Sequence, residues 1–140
     1  MSSIVTEEEI MFFDTDCGGV VHNIAYLRFI ETARTRLLAK LGLDLKQISR
    51  SQLFPAVTRT EIDYRKPAVL GDRLITEASI EYFERVRFSC TFRILRAKDE
   101  ALMITCKQSL ALVQMPEGRP RRLPKEWFIQ YPELTSHLKA

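Results

Sequence analysis

The sequence predicts an α+β fold in which one long helix packs on a five-stranded, largely antiparallel sheet. Two observations lead to this prediction. One stretch of about 19 residues has helical apolar periodicity, and five stretches have the pattern of strands, four of them in succession after short turns. Sequential strands with short connections pair antiparallel. A single helix with a wide apolar stripe is buried only if the sheet curves around it.

Length and charge restrict the class of protein. The chain has 140 residues, 46% of them hydrophobic and 28% charged, which predicts a single globular domain over residues 1–140. Lys and Arg exceed Asp and Glu by 21 − 18 = 3. This excess favours an anionic small molecule and is too small for a protein that coats nucleic acid.

The hydropathy of the chain, its first residues and its cysteines indicate the cellular location. No apolar run approaches the ~20 residues of a membrane span, and the acidic start of the chain has no apolar signal core. Three cysteines, Cys17, Cys90 and Cys106, have no metal-ligand spacing and are interpreted as reduced thiols. We expect a cytoplasmic protein without a metal.

The first strand is predicted over about Ile4 to Phe13, and the turn-rich residues 14–19 end it. From about Asn23 to Leu41 the pattern is helical, and Gly42 is a typical stop. The predicted buried stripe comprises Tyr26, Leu27, Ile30, Ala33, Leu37, Leu38 and Leu41, and the predicted polar face Arg28, Glu31, Arg34, Thr35 and Lys40.

The rest of the chain is mostly strand. Between Arg85 and Leu95, apolar and polar residues alternate, which predicts one face against the core. An irregular basic stretch, Pro116 to Pro124, and an amphipathic tail, Lys125 to Leu138, follow the last strand. The four predicted strands are Leu53 to Tyr64, Arg73 to Phe83, Arg85 to Leu95, and Ala101 to Met115.

Residues 14–23 are the densest group of chemically useful side chains. They include Asp14, Asp16, two glycines, His22 and Asn23, and they join the first strand to the long helix. Glycines let a ligand approach the backbone, and the unpaired N–H groups at a helix start suit a developing oxyanion. A carboxylate folded over that helix start would complete an acyl-transfer site.

A purely structural interpretation stays open from composition, in which the aspartates cap turns and Asn23 caps the helix. A calcium loop is excluded because its twelfth position would be Ala25. Cys17 activated by His22 is a weaker nucleophile hypothesis. The sequence contains no Gly-x-Ser-x-Gly elbow, no Gly-x-Gly-x-x-Gly and no P-loop.

Residues 14–34 and 62–72 resemble two signatures of hotdog-fold acyl-CoA thioesterases of the 4-hydroxybenzoyl-CoA thioesterase type. The first is Asp-x-Asp-x-x-Gly-Val-Val, then Tyr, then a helix with Glu-x-Ala-Arg; the second is Tyr-x-x-Pro-Ala-x-x-Gly-Asp. The resemblance covers residues 5 to 125. It implies a central helix wrapped by a five-stranded antiparallel sheet, and assembly into a homodimer or homotetramer.

The resemblance also implies site residues. Asp16 would be the nucleophile or general base, and the backbone N–H of Asn23 would polarise the thioester carbonyl. Gly19 would leave room for the acyl group, and Tyr26 would line its pocket. Many bacterial members have Tyr-His where this chain has His22-Asn23, so His22 is a candidate substrate contact whose side-chain role is open.

Arg85 and Arg87 match basic positions that hold the coenzyme A nucleotide in relatives. The predicted function is therefore hydrolysis of an aromatic or short-chain acyl-CoA, with coenzyme A as part of the substrate and no cofactor. One alternative is a hotdog enoyl-acyl hydratase or dehydratase, although the helix offers only Glu31 and no paired histidine. The other is a non-catalytic module that binds a CoA ligand or nucleic acid.

Overall fold

An antiparallel sheet wraps around one long helix in the computed structural model, which describes residues 3–139 and their side chains as far as residue 135. Residues 1, 2 and 140 of the predicted domain, and the side chains of the tail after residue 135, lie outside the described part. The helices are α1 (Asn23–Lys40), α2 (Leu45–Ser51) and α3 (Lys125–Gln130). The strands are β1 (Ser3–Glu9), β2 (Leu53–Tyr64), β3 (Arg73–Phe83), β4 (Arg87–Arg96), β5 (Ala101–Gln114) and β6 (Arg119–Arg121).

The strand order is β1-β3-β4-β5-β2, with β6 paired to the end of β5. All pairs are antiparallel, as predicted. The sheet has one strand more than the predicted five, because the stretch expected to be irregular, Pro116 to Pro124, contains β6. Strands β1 and β2 are the two edges, and α1 lies over β1 and β3.

The helix buries most of its predicted stripe. Phe29, Ile30, Ala33 and Leu37 are fully buried against the sheet, and their burial supplies most of the contact between helix and sheet. Two residues contradict the predicted faces of α1. Leu27 is 40% exposed, and Arg34 is only 8% exposed.

Arg34 is buried because it follows Ile30 by four residues and therefore lies on the same face of the helix. Its guanidinium Nη1 donates to Gln108 Oε1 at 2.6 Å, and Gln108 Nε2 donates to Thr60 Oγ1 at 3.2 Å. Glu31, the expected ion-pair partner, lies 3.6 Å away. This relay joins the central helix to the edge strand β2.

The first strand ends at Glu9, four residues before the predicted Phe13. Asp14 accounts for the difference, since its Oδ2 accepts a hydrogen bond from the Met11 N–H at 3.0 Å and stabilises a short 3-10 turn over Phe12–Asp14. The bounds of β2 and β3 agree with the predicted strands. Strand β4 begins at Arg87, two residues later than predicted.

Two short helices were not predicted as such. Asp44 accepts from the Gln47 N–H at 2.8 Å and so begins α2. In the tail, α3 brings Trp127 over the end of the core, where its ring centroid lies 5.4 Å from those of Phe83 and Phe88. The Trp127 indole N–H donates to the Leu41 carbonyl at 3.0 Å, so α3 closes one end of the molecule.

Candidate active site

The loop between β1 and α1 is a narrow hairpin. Thr15 and Val21 form an antiparallel bridge, and the Asp16 N–H donates to the Val20 carbonyl at 2.9 Å. Gly19 has φ = +77°, a conformation that a side chain would strain. The loop is also joined to the segment after β2, because the Val21 N–H donates to the Ala68 carbonyl at 2.9 Å.

Asp16 is exposed and holds this loop through one oxygen. Its Oδ1 accepts from the Gly18 N–H at 2.8 Å and from the Val20 N–H at 3.3 Å. The other oxygen, Oδ2, accepts no hydrogen bond from the described residues. The turn-capping role of the structural interpretation is therefore present, and one carboxylate oxygen remains open to a ligand or to water.

His22 is the N-cap of α1, the role that the structural interpretation assigned to Asn23. Its Nδ1 accepts from the Ala25 N–H at 3.2 Å, so Nε2 carries the ring proton and donates to the Phe13 carbonyl at 3.3 Å. Both ring nitrogens are thus bonded within the chain. Asn23 is the first residue of the helix itself, and its N–H is one of the four without an intrahelical acceptor.

A cavity of about 210 Å³ lies beside this helix start. The rings of Tyr26 and Tyr64 form one side of it, with centroids 5.8 Å apart. The hydroxyl of Tyr26 accepts from the Ala68 N–H at 3.0 Å, and burial raises the pKa of this phenol. The cavity is lined by Val21, Asn23, Tyr26, Tyr64, Arg65, Lys66 and Pro67.

The structure brings some of the predicted site residues together and leaves others apart. Asn23 and Tyr26 line the cavity, whereas Asp16 and Gly19 lie in the adjoining loop outside its lining. His22 lines a separate cavity of about 230 Å³ with Phe13 and other residues. The loop of Asp16 and the cavity therefore adjoin each other at the first turn of α1.

Arg85 and Arg87 lie toward the opposite end of the strands. Tyr64 is level with Ile104 and Ile94, seven residues along β4 from Arg87, which is about 23 Å at ~3.3 Å per residue. Arg87 instead lines a polar cavity of about 340 Å³ on the outer face of the sheet, with Arg59 among its neighbours. In one subunit these arginines are not part of the cavity beside Asn23.

A larger cavity of about 620 Å³ lies between α1 and α2 and contains none of the predicted site residues. This cavity is an open groove lined by charged residues of both signs. Its greater volume alone does not identify it as the active site. Among the side chains described, those of residues 3–135, no three His, Cys, Asp or Glu groups come close enough to hold a metal ion. Within residues 3–139, no helix has the length and apolar character needed to cross a bilayer.

Tyr64, Arg65 and Lys66 line the cavity but were not predicted as site residues. Their signal was present in the sequence, since they begin the second signature and stand where a strand ends at Pro67. Their position at the cavity depends on the register of β2 in the sheet, which places Tyr64 next to Tyr26. The sequence does not show this register.

Comparisons with known proteins agree with this geometry. A family model described as the thioesterase-like superfamily matches residues 11–132. A 1,4-dihydroxy-2-naphthoyl-CoA hydrolase of Thermosynechococcus vestitus is 33% identical over 93% of this chain and 91% of its own. The acyl-CoA thioesterase YbgC of Haemophilus influenzae is 30% identical over 84% of this chain and 85% of its own.

Solved structures share the fold. The crystal structure of Slr0204, a 1,4-dihydroxy-2-naphthoyl-CoA thioesterase from Synechocystis, superposes with a TM-score of 0.81 at 26% identity, covering 94% of this chain and 97% of that one. A probable thioesterase from Bartonella henselae gives a TM-score of 0.81 at 30% identity, covering 87% of this chain and 99% of its own. The predicted hotdog fold is confirmed.

Proposed function

This chain belongs to the thioesterase-like superfamily, and we propose from that premise that it hydrolyses an acyl-CoA thioester to the free acid and coenzyme A. The observation that carries the proposal is the meeting of three features at the start of α1. These are the open oxygen of Asp16, the helix N-terminus at Asn23, and an acyl-sized cavity beside them.

Asp16 is the proposed nucleophile or general base. As a base, its carboxylate takes a proton from water while the hydroxide adds to the thioester carbonyl carbon. The C–S bond then breaks, and the proton goes to the departing coenzyme A thiolate. As a nucleophile, one carboxylate oxygen adds to the carbonyl carbon and the C–S bond breaks, so that coenzyme A leaves as a thiolate that takes a proton from solvent. Water then hydrolyses the resulting acyl-aspartate anhydride to the free acid and the Asp16 carboxylate. Its Oδ2, which bonds to no described residue, supports either route.

The N–H of Asn23 is the proposed oxyanion donor. It lies at the positive end of an 18-residue helix, where the partial charge of the helix dipole stabilises negative charge on the carbonyl oxygen. His22 supports this geometry by capping the helix through Ala25. We propose that His22 acts on the substrate through that cap, while Gly19 keeps the approach to Asp16 open.

The acyl group is proposed to be aromatic or short. The cavity of about 210 Å³ is smaller than the ~300 Å³ at the lower end of ordinary ligand pockets, so it suits the acyl part of the substrate alone. The rings of Tyr26 and Tyr64 offer aromatic contact. Relatives named as 1,4-dihydroxy-2-naphthoyl-CoA hydrolases support an aromatic acyl group.

We propose a homodimer in which two copies of β2 pair antiparallel. The 12-residue strand β2 is paired only on its β5 side, and its free backbone groups can pair with another strand. Val57 and Tyr64 on its inner face are 41% and 49% exposed, because α1 covers this face of the sheet mainly at β1 and β3. The opposite edge, β1, carries three successive glutamates at Glu7–Glu9, and like charges directly opposite one another disfavour pairing with a second copy, although Glu7 and Glu8 are paired with arginines of the same chain.

The proposed pairing of β2 explains how Arg85 and Arg87 can take part in substrate binding. Within one subunit they lie far from the cavity, at the other end of the strands. Antiparallel pairing of β2 reverses one subunit, so Arg87 of the partner subunit is set at the same end of the joined sheet as the cavity. We propose that these arginines hold the nucleotide of coenzyme A. The enzyme is proposed to work in the cytoplasm without a resident cofactor.

The test is thiol release from a panel of acyl-CoAs that includes benzoyl-CoA, 1,4-dihydroxy-2-naphthoyl-CoA, acetyl-CoA and hexanoyl-CoA. We expect hydrolysis of at least one aromatic or short-chain member, with the free acid and coenzyme A formed in equal amounts. Crotonyl-CoA followed by absorbance tests the hydratase alternative. The proposal is wrong if no member releases thiol above the rate of the buffer.

A further inference from the structure

The cavity beside Asn23 has two cationic side chains and no carboxylate in its lining. Arg65 and Lys66 are exposed at its rim, directly after the end of β2. Neither side chain forms an ion pair or hydrogen bond with any residue that the structure describes. Two positive charges thus border an aromatic cavity, and none of the described residues forms an ion pair with them.

Several exposed cations of the sheet are paired with carboxylates. On its outer face, Arg93 lies 2.9 Å from Glu77 and Lys107 lies 3.1 Å from Glu81, while Arg59 lies 2.8 Å from Glu61. The nearest carboxylate in sequence to Lys66 is Asp63, and the alternation of side chains along β2 sets it on the opposite face from Tyr64. Among the residues that line the cavity, Arg65 and Lys66 therefore have no carboxylate partner.

We propose that this cavity selects acyl groups in which an aromatic ring carries its own anionic substituent, with Tyr26 and Tyr64 contacting the ring and Lys66 and Arg65 binding the anion. The inference rests on the proposed function, because it is the acyl part of a thioester that enters the cavity. A charge-assisted hydrogen bond from an ammonium or guanidinium group is the interaction that recognises such a substituent.

The anionic group has two sources, an acyl substituent or the phosphates of coenzyme A, and a pair of thioethers distinguishes them. S-benzyl-CoA and S-(4-carboxybenzyl)-CoA have the same phosphates and ring and differ in one carboxylate. Neither can be hydrolysed as a thioester, so titration calorimetry measures their affinities whether or not the protein is a hydrolase. We expect the carboxybenzyl compound to bind about tenfold more tightly, as for one charged hydrogen bond.

Variants assign the preference to residues. Lys66→Gln and the double variant with Arg65→Gln should reduce the ratio of the two affinities toward one while leaving the Kd of S-benzyl-CoA within about twofold. Tyr64→Ala should weaken both compounds together, because both carry the ring. Lys46→Gln, a matched loss of an exposed lysine on α2, should change neither affinity.

Two results would overturn the inference. Equal affinity of the wild-type protein for the two thioethers shows that the cavity does not recognise an acyl-borne anion. Equal weakening of both compounds in Lys66→Gln assigns the cations to the phosphates of coenzyme A. A preference between the thioethers without thiol release from any acyl-CoA supports this selectivity and rejects the hydrolase function, so the two failures are distinguishable.

Discussion

The Asp16 side chain can stabilise its loop and also take the proposed catalytic role. Oδ1 is used by the backbone of Gly18 and Val20, and Oδ2 is free of bonds to the described residues. The two interpretations that the composition left open, a turn cap and a reactive carboxylate, are therefore compatible because they concern different oxygens.

Replacing Asp16 separates these two roles. Asp16→Asn keeps the amide oxygen that accepts from Gly18 but loses the charge, so we expect turnover to fall about a hundredfold or more with little change in Tm. Asp16→Ala should lose activity and also stability, since the loop bonds disappear. Steady-state thiol release and thermal unfolding check both. Wild-type turnover in Asp16→Asn would disprove the proposed mechanism.

The three cysteines should differ in reactivity. Cys17 is exposed, whereas Cys90 and Cys106 are buried and burial raises the pKa of their thiols to about 12 and about 11. A disulfide reagent at pH 8 should therefore modify one thiol rapidly in the native protein and all three in denaturant. Cys17→Ser should abolish the rapid reaction; a rapid phase that persists in this variant would contradict the assignment.

Sequence reasoning predicted the loop and the start of the helix but misjudged single side chains. The predicted cluster at residues 14–23 does contain the loop, the helix start and one wall of the cavity. Arg34 was expected on the polar face because it is charged. It nevertheless lies four residues after Ile30, which belongs to the buried stripe. Its burial depends on Gln108, 74 residues away, which no local pattern shows.

Among the elements, α1 depends on its first turn. His22 accepts from the Ala25 N–H, and loss of an N-cap costs about 1 kcal/mol. His22→Ala should therefore lower Tm by about 3 °C for a chain of this size, and His22→Asn, which restores a capping oxygen, should recover most of it.

Activity of the same variants tests what His22 does. If it acts through the cap alone, His22→Asn should have nearly wild-type kcat and KM. A kcat that stays at the alanine level in His22→Asn, despite a restored Tm, would instead show direct contact of the imidazole with the substrate.

Elements with strong periodicity and clear ends were predictable. The strands Leu53–Tyr64 and Arg73–Phe83 have the predicted bounds, since Pro67 and the Gly71-Asp72 turn mark the change of direction between them. Short helices and strands were not predictable, because they depend on single contacts. The helix α2 begins at the Asp44 cap, and β6 exists only through its pairing with the end of β5.

At the scale of the whole molecule, the proposed dimer predicts that activity depends on assembly. Val57→Asp places a charge on the inner face of the free edge of β2 and should convert a dimer of the 16.3 kDa chain into monomers. Thiol release should fall with it, because the arginines of the partner subunit leave the site. Light scattering and activity at matched concentrations measure both effects.

The control is Ile129→Asp on α3, which is 77% exposed and far along the chain from β2. It should keep the wild-type mass and turnover. A Val57→Asp protein that remains dimeric and active would show that β2 is not the interface. The proposed role of a second subunit was not derivable from residue spacing, since only the strand register shows that Arg85 and Arg87 lie at the opposite end of the sheet from the cavity.

The hydrogen bonds between residues 14–23 and 64–70 have a consequence for how this protein can diversify. The two segments are joined by main-chain bonds, from Val21 N–H to the Ala68 carbonyl and from Leu70 N–H to the Gly19 carbonyl at 3.0 Å. Such bonds do not depend on side-chain identity. Recombination between relatives anywhere from residue 24 to residue 63 should thus preserve these bonds, so that residues 64–70 of one relative can be joined to residues 14–23 of another.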